Sequence, residues 1–147
     1  REGNNWSYAH ARRIWSIAEN NDLRYHWLGD FDAQMIRIIN EHKLLDIPEV
    51  WKIWENKADQ VLAFTRGNLL FIFNFSPSNS YVDYGFPFEP FKFKPLLNTD
   101  SAYYGGYGRF DERIVYYTMP EDKGPYANLL KLYLPSRTAM VFEIEAI

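Results

Sequence analysis

Carboxylates come first, because acid–base and glycosidic chemistry both depend on them. Asp111-Glu112 and Glu121-Asp122 are adjacent pairs, and Asp30 and Asp32 stand two apart. Cleavage of a glycosidic bond needs two carboxyls about 5 Å or more apart across a sugar, held in a rigid pocket. Adjacent loop acids do not by themselves provide that, so these read as solvated loop charges. His10, His26 and His42 are evenly spaced and match neither a zinc-ligand pattern nor HExxH. They read as surface or packing residues. No serine sits in a GxSxG elbow, and with no cysteine a Cys-His pair is impossible. No metal site and no cofactor is expected. Gly105-Gly106-Tyr107-Gly108-Arg109 is not GxGxxG and lacks the Lys-Ser/Thr of a phosphate loop. It reads as a tight turn that needs positive φ. Asn5-Trp6-Ser7 and Asn74-Phe75-Ser76 are formal N-glycosylation acceptors. The second ends an apolar strand, and neither reads as used.

Composition narrows the classes further. The chain has 147 residues, 47% of them hydrophobic and 24% charged, which suits a globular domain able to bury its own core. The net charge of −3 leaves no basic excess for phosphates, which argues against nucleic acid and an anionic membrane surface as partners. No apolar run approaches the roughly 18 residues of a membrane span. The absence of cysteine fits a reducing cytoplasm. Aromatic residues reach 18%. Sugars stack on aromatic faces, but Phe and Tyr also fill pleated strands, and composition alone favours the strands.

The elements that would position these residues change period near Pro48. Leu23, Trp27, Phe31, Met35 and Ile38 step at helical spacing, with Asp22 ahead of them as the N-cap and Gly29 as a point of bending or breakage. A shorter helix is expected from about Ser7 to Ala18, using Tyr8, Ala11, Trp15 and Ala18. After Pro48 the pattern predicts strands at 50–55, 61–66, 69–75, 80–84, 91–97, 114–117, 129–134 and 138–145. Leu69-Leu70-Phe71-Ile72-Phe73 is apolar on both faces and should be central. Gly67-Asn68 marks a hairpin. Many short strands without intervening helices indicate an antiparallel β-sandwich. The chain therefore divides into residues 1–47, helical, and residues 48–147, the sandwich.

Two blocks of residues carry a resemblance. Arg1-Glu2-Gly3-Asn4-Asn5-Trp6-Ser7-Tyr8 and Ala11-Arg12-Arg13, then Leu23-Arg24-Tyr25 and Phe31-Asp32, resemble the segment after the last barrel strand of glycogen and starch branching enzymes. Arg66-Gly67-Asn68-Leu69-Leu70-Phe71-Ile72-Phe73-Asn74-Phe75 and Ser78-Asn79-Ser80-Tyr81-Val82-Asp83-Tyr84 look like that family's C-terminal sandwich. Leu97-Asn98-Thr99-Asp100-Ser101, the glycine-rich turn, and Leu134-Pro135-Ser136-Arg137-Thr138-Ala139 continue it in order. The style is closer to the eukaryotic type than to the shorter enterobacterial type.

The resemblance implies the C-terminal part of a 1,4-α-glucan branching enzyme of the α-amylase superfamily. Such an enzyme is a glycosyltransferase that cuts an α-1,4-glucan, glycogen or amylose, and makes α-1,6 branches by double displacement. The resemblance places the Asp nucleophile, the Glu acid/base and a further Asp in a (β/α)₈ barrel upstream of Arg1, so no catalytic residue is assigned here. The two or three helices would come from the end of that barrel, and the region itself would be catalytically silent and mainly architectural. Asn4, Asn5 and Trp6 are the expected glucan-proximal residues. A rival reading makes the sandwich a carbohydrate-binding module, with Tyr103, Tyr104 and Tyr107 as stacking aromatics. Another amylase-type or debranching enzyme is disfavoured by the ordered matches beyond Ser80. Two structural expectations follow. Pro135-Ser136-Arg137 should form a packed corner in which Arg137 bonds backbone carbonyls or an acid. The stripe from Leu23 to Ile38 should serve both barrel and sandwich, so that Trp15 or Trp27 folds onto the sandwich or contacts another copy.

Overall fold

The computed structural model describes residues 14–147. The first helix, α1, covers Trp15–Ala18, and α2 covers Tyr25–Glu41. A single 3₁₀ turn at Leu44–Asp46 leads into eight strands: β1 (Trp51–Asn56), β2 (Val61–Arg66), β3 (Leu69–Asn74), β4 (Tyr81–Pro87), β5 (Phe91–Asn98), β6 (Tyr116–Pro120), β7 (Asn128–Leu134) and β8 (Thr138–Ala146). A second 3₁₀ turn, Ala102–Tyr104, lies between β5 and β6.

The strands form one antiparallel ladder in the order β1-β2-β3-β8-β5-β6-β7-β4. β6 is the corner. Its Tyr116 and Tyr117 pair with β5, while Thr118, Met119 and Pro120 pair with β7. A strand that changes partner half-way along lets the ladder turn over on itself, so its two parts face each other as the layers of a sandwich. The core between them comes from alternating positions: Val61 and Ala63 on β2, Leu70 and Ile72 on β3, Leu130, Leu132 and Leu134 on β7, Met140 and Phe142 on β8. Phe86 and Phe93 add fully buried rings from β4 and β5. The ends of the ladder meet. Trp54 Nε1 on β1 donates to the Tyr84 hydroxyl on β4 at 3.1 Å, and Tyr84 donates to Asp59 at 2.9 Å.

β3 is central, as its two apolar faces require. Leu70 and Ile72 point into the sandwich, and Leu69 joins a second cluster on the outer face with Ile38, Leu44, Leu97 and Val141. That outer cluster is where α2 lies. Phe31, Ile38 and Ile39 descend onto the sheet, and Leu44 follows from the 3₁₀ turn. The β2–β3 hairpin uses Gly67-Asn68 with Arg66 opposite Leu69, and Gly67 takes φ +58°. Positive φ at the first loop residue is the position glycine fills in a two-residue hairpin.

Several expectations are corrected. Asp22 does not cap α2: the helix begins at Tyr25, its N-cap is Arg24 with no side-chain bond, and Asp22 donates its N–H to Asn20 Oδ1 in the preceding turn. Gly29 neither breaks nor ends the helix, which is continuous to Glu41. The cost of one glycine, about 1 kcal/mol, is small beside the burial of Phe31 and Ile38. The strand expected at 114–117 begins at Tyr116, because Ile114 and Val115 have strand propensity but no partner strand, and both are exposed. Of the helix expected from Ser7 to Ala18, the described part is Trp15–Ala18.

Candidate functional site

A densely hydrogen-bonded polar constellation surrounds the glycine-rich turn that follows β5. Asp100 is 4% exposed. Its carboxylate accepts from the Arg109 backbone N–H at 2.9 Å, from Arg109 Nη2 at 2.9 Å and Nε at 3.1 Å, and from the Tyr107 N–H at 3.3 Å. Burial by itself would raise this carboxyl. The Arg109 guanidinium and the two backbone donors outweigh it and hold the pKa below the usual value. The same turn brings Gly108 N–H onto Asp100 O at 2.7 Å and Gly106 N–H onto Ser101 O at 2.9 Å. Two of its glycines are forced by space. A Cβ on Gly106 would overlap the Asp100 backbone, and one on Gly105, at φ +76°, would overlap the Trp27 indole of α2.

Arg109 also reaches the β7–β8 corner, donating to Ser136 O at 3.2 Å and to Ser136 Oγ at 3.4 Å. The corner is packed as expected, but by other residues. Asn74, 1% exposed, donates through Nδ2 to Asn79 O, Leu134 O and Pro135 O at 2.9–3.3 Å. Thr138 Oγ1 donates to Pro135 O at 2.6 Å. Arg137 is the correction: it is exposed, sits at φ +56°, and contributes only its backbone N–H, to Ser76 O, among the described hydrogen bonds. The arginine that ties the corner together is Arg109. With its amide spent on three carbonyls in the interior, Asn74 is not placed to carry a glycan.

The carboxylates singled out in the sequence stay apart. Asp111 pairs with Arg113 at 3.0 Å, and that hydrogen-bonded pair lowers its pKa to about 2. Glu121 pairs with Lys131 at 2.6 Å, and is lowered by that bond. Asp30 and Asp32 lie on α2, and Asp122 is exposed in the β6–β7 loop. Every described carboxyl whose pKa is displaced is displaced downward. A general acid for glycoside cleavage requires the opposite direction. His26 Nδ1 lies 2.7 Å from Leu23 O, and His42 Nδ1 lies 3.2 Å from Asn68 Oδ1. No group of three His, Cys, Asp or Glu among the described residues could hold a metal ion. His10 and the expected glucan-proximal residues Asn4, Asn5 and Trp6 lie outside the described residues.

The three tyrosines divide. Tyr103 and Tyr104 meet edge to face, with centroids 5.1 Å apart and planes at 82°. Tyr104 is anchored edge to face on Phe31 of α2 at 5.4 Å. Tyr107 stands elsewhere, 86% exposed, with the Arg109 guanidinium 5.3 Å from its ring centre. A nearly parallel set of rings does exist on the outer sheet face: Phe64, Phe71, Phe73 and Phe75, at centroid spacings of 5.0–6.0 Å and angles of 6–16°. Those rings stack on one another, and Phe75 at the end of the row is 61% exposed.

The model of the alpha amylase C-terminal all-beta domain matches residues 51–145. That interval runs from the first residue of β1 almost to the end of β8. The chain belongs to this family. The family's domain is therefore the whole sandwich, and α1 and α2 precede it. Residues of the preceding helices are matched as well among curated relatives. Proteins named 1,4-alpha-glucan-branching enzyme from Rhizophagus irregularis, Candida glabrata and Equus caballus are 37%, 38% and 37% identical over 96%, 96% and 97% of this chain. The chain spans about a fifth of the length of these relatives. The Asp100–Arg109 pair, the Asn74 corner and the hydrogen bond that Ser101 Oγ donates to Glu112 Oε2 at 3.0 Å were not singled out in the sequence. The usable signal for the first was an acid and an arginine bracketing three glycines. Nothing local marked the other two.

Proposed function

We propose that this chain is the C-terminal part of a 1,4-α-glucan branching enzyme, in which it serves an architectural role while the catalytic carboxylates lie elsewhere in the longer protein. The observation that carries the reading is likeness at 37–38% identity over nearly the whole chain, helices included, to proteins bearing that name. The chemistry of the described residues agrees with a silent role, since its displaced carboxyls are ion-paired or hydrogen-bonded and held ionised. The substrate of the whole protein is an α-glucan, glycogen or amylose, and the compartment is the cytoplasm. No described helix is long and apolar enough to cross a membrane. Asn4, Asn5 and Trp6 remain the residues proposed to lie nearest the glucan in the whole enzyme.

Two proteins test this. The longer protein carrying this region should branch amylose, read as a fall and blue shift of the iodine complex together with new α-1,6 linkages. The 147-residue chain alone should give neither branching nor hydrolysis. Hydrolysis without branching by the longer protein, or turnover by the chain alone with contaminating enzyme excluded, would count against the reading.

A further inference from the structure

The C-terminal half of α2 and the outer face of the sheet do not close completely on each other. After Glu41 the chain reverses through Lys43, at φ +49°, into the 3₁₀ turn Leu44–Asp46. That turn drives Leu44 onto the sheet, 4% exposed, and leaves Leu45 outside, 78% exposed. An apolar pocket of about 240 Å³ remains between Met35 and Ile38 of α2 and Phe64, Phe71, Leu97 and Val141 of the sheet, with Leu45 at its mouth. Phe64 and Phe71 stack on each other at 5.0 Å, so their rings are held side by side rather than across the gap.

The lining has one polar side chain, Arg66. Its Nε donates to Ile47 O at 2.7 Å, which holds the guanidinium in place. The two terminal nitrogens make no described hydrogen bond, and no ion pair among the described residues involves Arg66. A half-buried guanidinium without a counter-ion offers its N–H donors to an anion, and its planar fork suits a carboxylate. Volume sets the rest of the ligand. An apolar cavity of about 150 Å³ takes up benzene, and one about half as large again admits an apolar body of about eight to ten carbons. A bare inorganic anion would leave the pocket unfilled, and a neutral hydrocarbon would leave Arg66 unpaired.

We propose that this pocket binds a small amphipathic carboxylate, with its apolar body between α2 and the sheet and its carboxylate on Arg66. The inference does not rest on the branching-enzyme reading, because the residues of the helix–sandwich seam carry it alone. A ligand seated there bridges α2 and the sheet, so its binding stabilises that seam by mass action.

The test is a titration of the ¹⁵N-labelled chain with octanoate and with indole-3-propionate, following amide shifts, with acetate and octyltrimethylammonium as comparison ligands. Saturable shifts at residues 35–47, 64–71, 97 and 141 are expected with one or both of the first two, and the tighter of them tells whether the body is a chain or a ring. Acetate should give none, and octyltrimethylammonium should bind at least about tenfold more weakly than octanoate. Leu45→Glu puts a like charge at the mouth on an exposed position. It should weaken octanoate by about tenfold or more with an unchanged melting curve, whereas Leu45→Lys should not. Arg66→Met should abolish the preference for octanoate over octyltrimethylammonium. That variant also loses the bond to Ile47 O, and the Leu45 pair keeps the test independent of it. An absence of saturable shifts, shifts on another face, equal binding of the anion and the cation, or indifference to the sign of charge at position 45 would overturn the proposal. So would loss of octanoate binding in the longer protein, since the pocket would then be filled by that protein itself.

Discussion

Asp100 and Arg109 show how a buried charge is tolerated in an otherwise apolar sandwich. The carboxylate receives the guanidinium and two backbone N–H groups, so its lone pairs are satisfied although it is almost wholly buried. Removing the cation leaves that carboxylate unpaired, which is far more costly than losing a surface pair. Arg109→Ala should therefore destabilise the chain by about 2–4 kcal/mol, reduced from the fully buried case because Arg109 is itself partly solvated. Chemical denaturation checks this, and a change below about 0.5 kcal/mol would match an ordinary surface substitution instead. The pH dependence has a fixed sign. The Asp100 pKa is lower in the folded chain than its ordinary value of 3.8. Its contribution is present in full above that value and is lost as pH falls through the lower folded value. The melting temperature of Asp100→Asn should accordingly fall less steeply than the parent's on acidification below about pH 4.

Arg137 makes the converse point. Its side chain makes no described hydrogen bond, and its backbone takes a left-handed conformation in the three-residue loop between β7 and β8. A non-glycine residue there pays roughly 1 kcal/mol or more in sterics, and alanine pays it too. Arg137→Ala should change stability by less than about 0.5 kcal/mol, whereas Arg137→Gly should raise it by up to about 1 kcal/mol. Equilibrium denaturation of both variants distinguishes a conformational role from a bonding one.

Among the elements, α2 is held by its fit to the glycine-rich turn as well as by its apolar stripe. Trp27 rests where a Cβ at Gly105 would be, and Phe31 meets Tyr104 at right angles. Gly105→Ala combines a positive φ with a collision, so it should destabilise by about 2 kcal/mol or more and shift Trp27 fluorescence to the red as the indole is displaced. The two effects should appear together. Gly29→Ala should do the reverse. The position is helical and a Cβ there meets nothing within 4 Å. The expected gain is about 0.5–1 kcal/mol, read from the denaturation midpoint. This helix was legible in sequence from its periodicity, and so were the strands of the β2–β3 hairpin. Alternation and turn residues are local, and burial on one face is enough to impose them. The limits of β6 were not, because what ends that strand is the position of β5 and β7 rather than anything in Ile114 or Val115.

For the whole molecule, the outer flank of the helices stays apolar. Trp15, Tyr25, Leu28 and Ile36 are between 48% and 72% exposed. Trp27, in contrast, folds onto the sandwich side. Exposed apolar surface of this kind favours association. Sedimentation velocity is expected to show concentration-dependent self-association of the chain, diminished by Leu28→Glu. A strictly monomeric chain at high concentration would show that this flank is tolerated by water.

The sequence by itself determined the number of strands, the change from helix to strand near Pro48, the central place of β3, and the Gly67-Asn68 turn. It also carried the family, since ordered blocks of residues are a linear property. Only the tertiary structure decided that β6 turns the ladder over, that Arg109 rather than Arg137 secures the β7–β8 corner, and that Tyr103 and Tyr104 meet edge to face while Tyr107 stands apart. Those relations join residues distant along the chain or separated by a turn. They depend on the path of the backbone between them, which in a β fold is fixed by non-local pairing and by the space each side chain finds when the layers close.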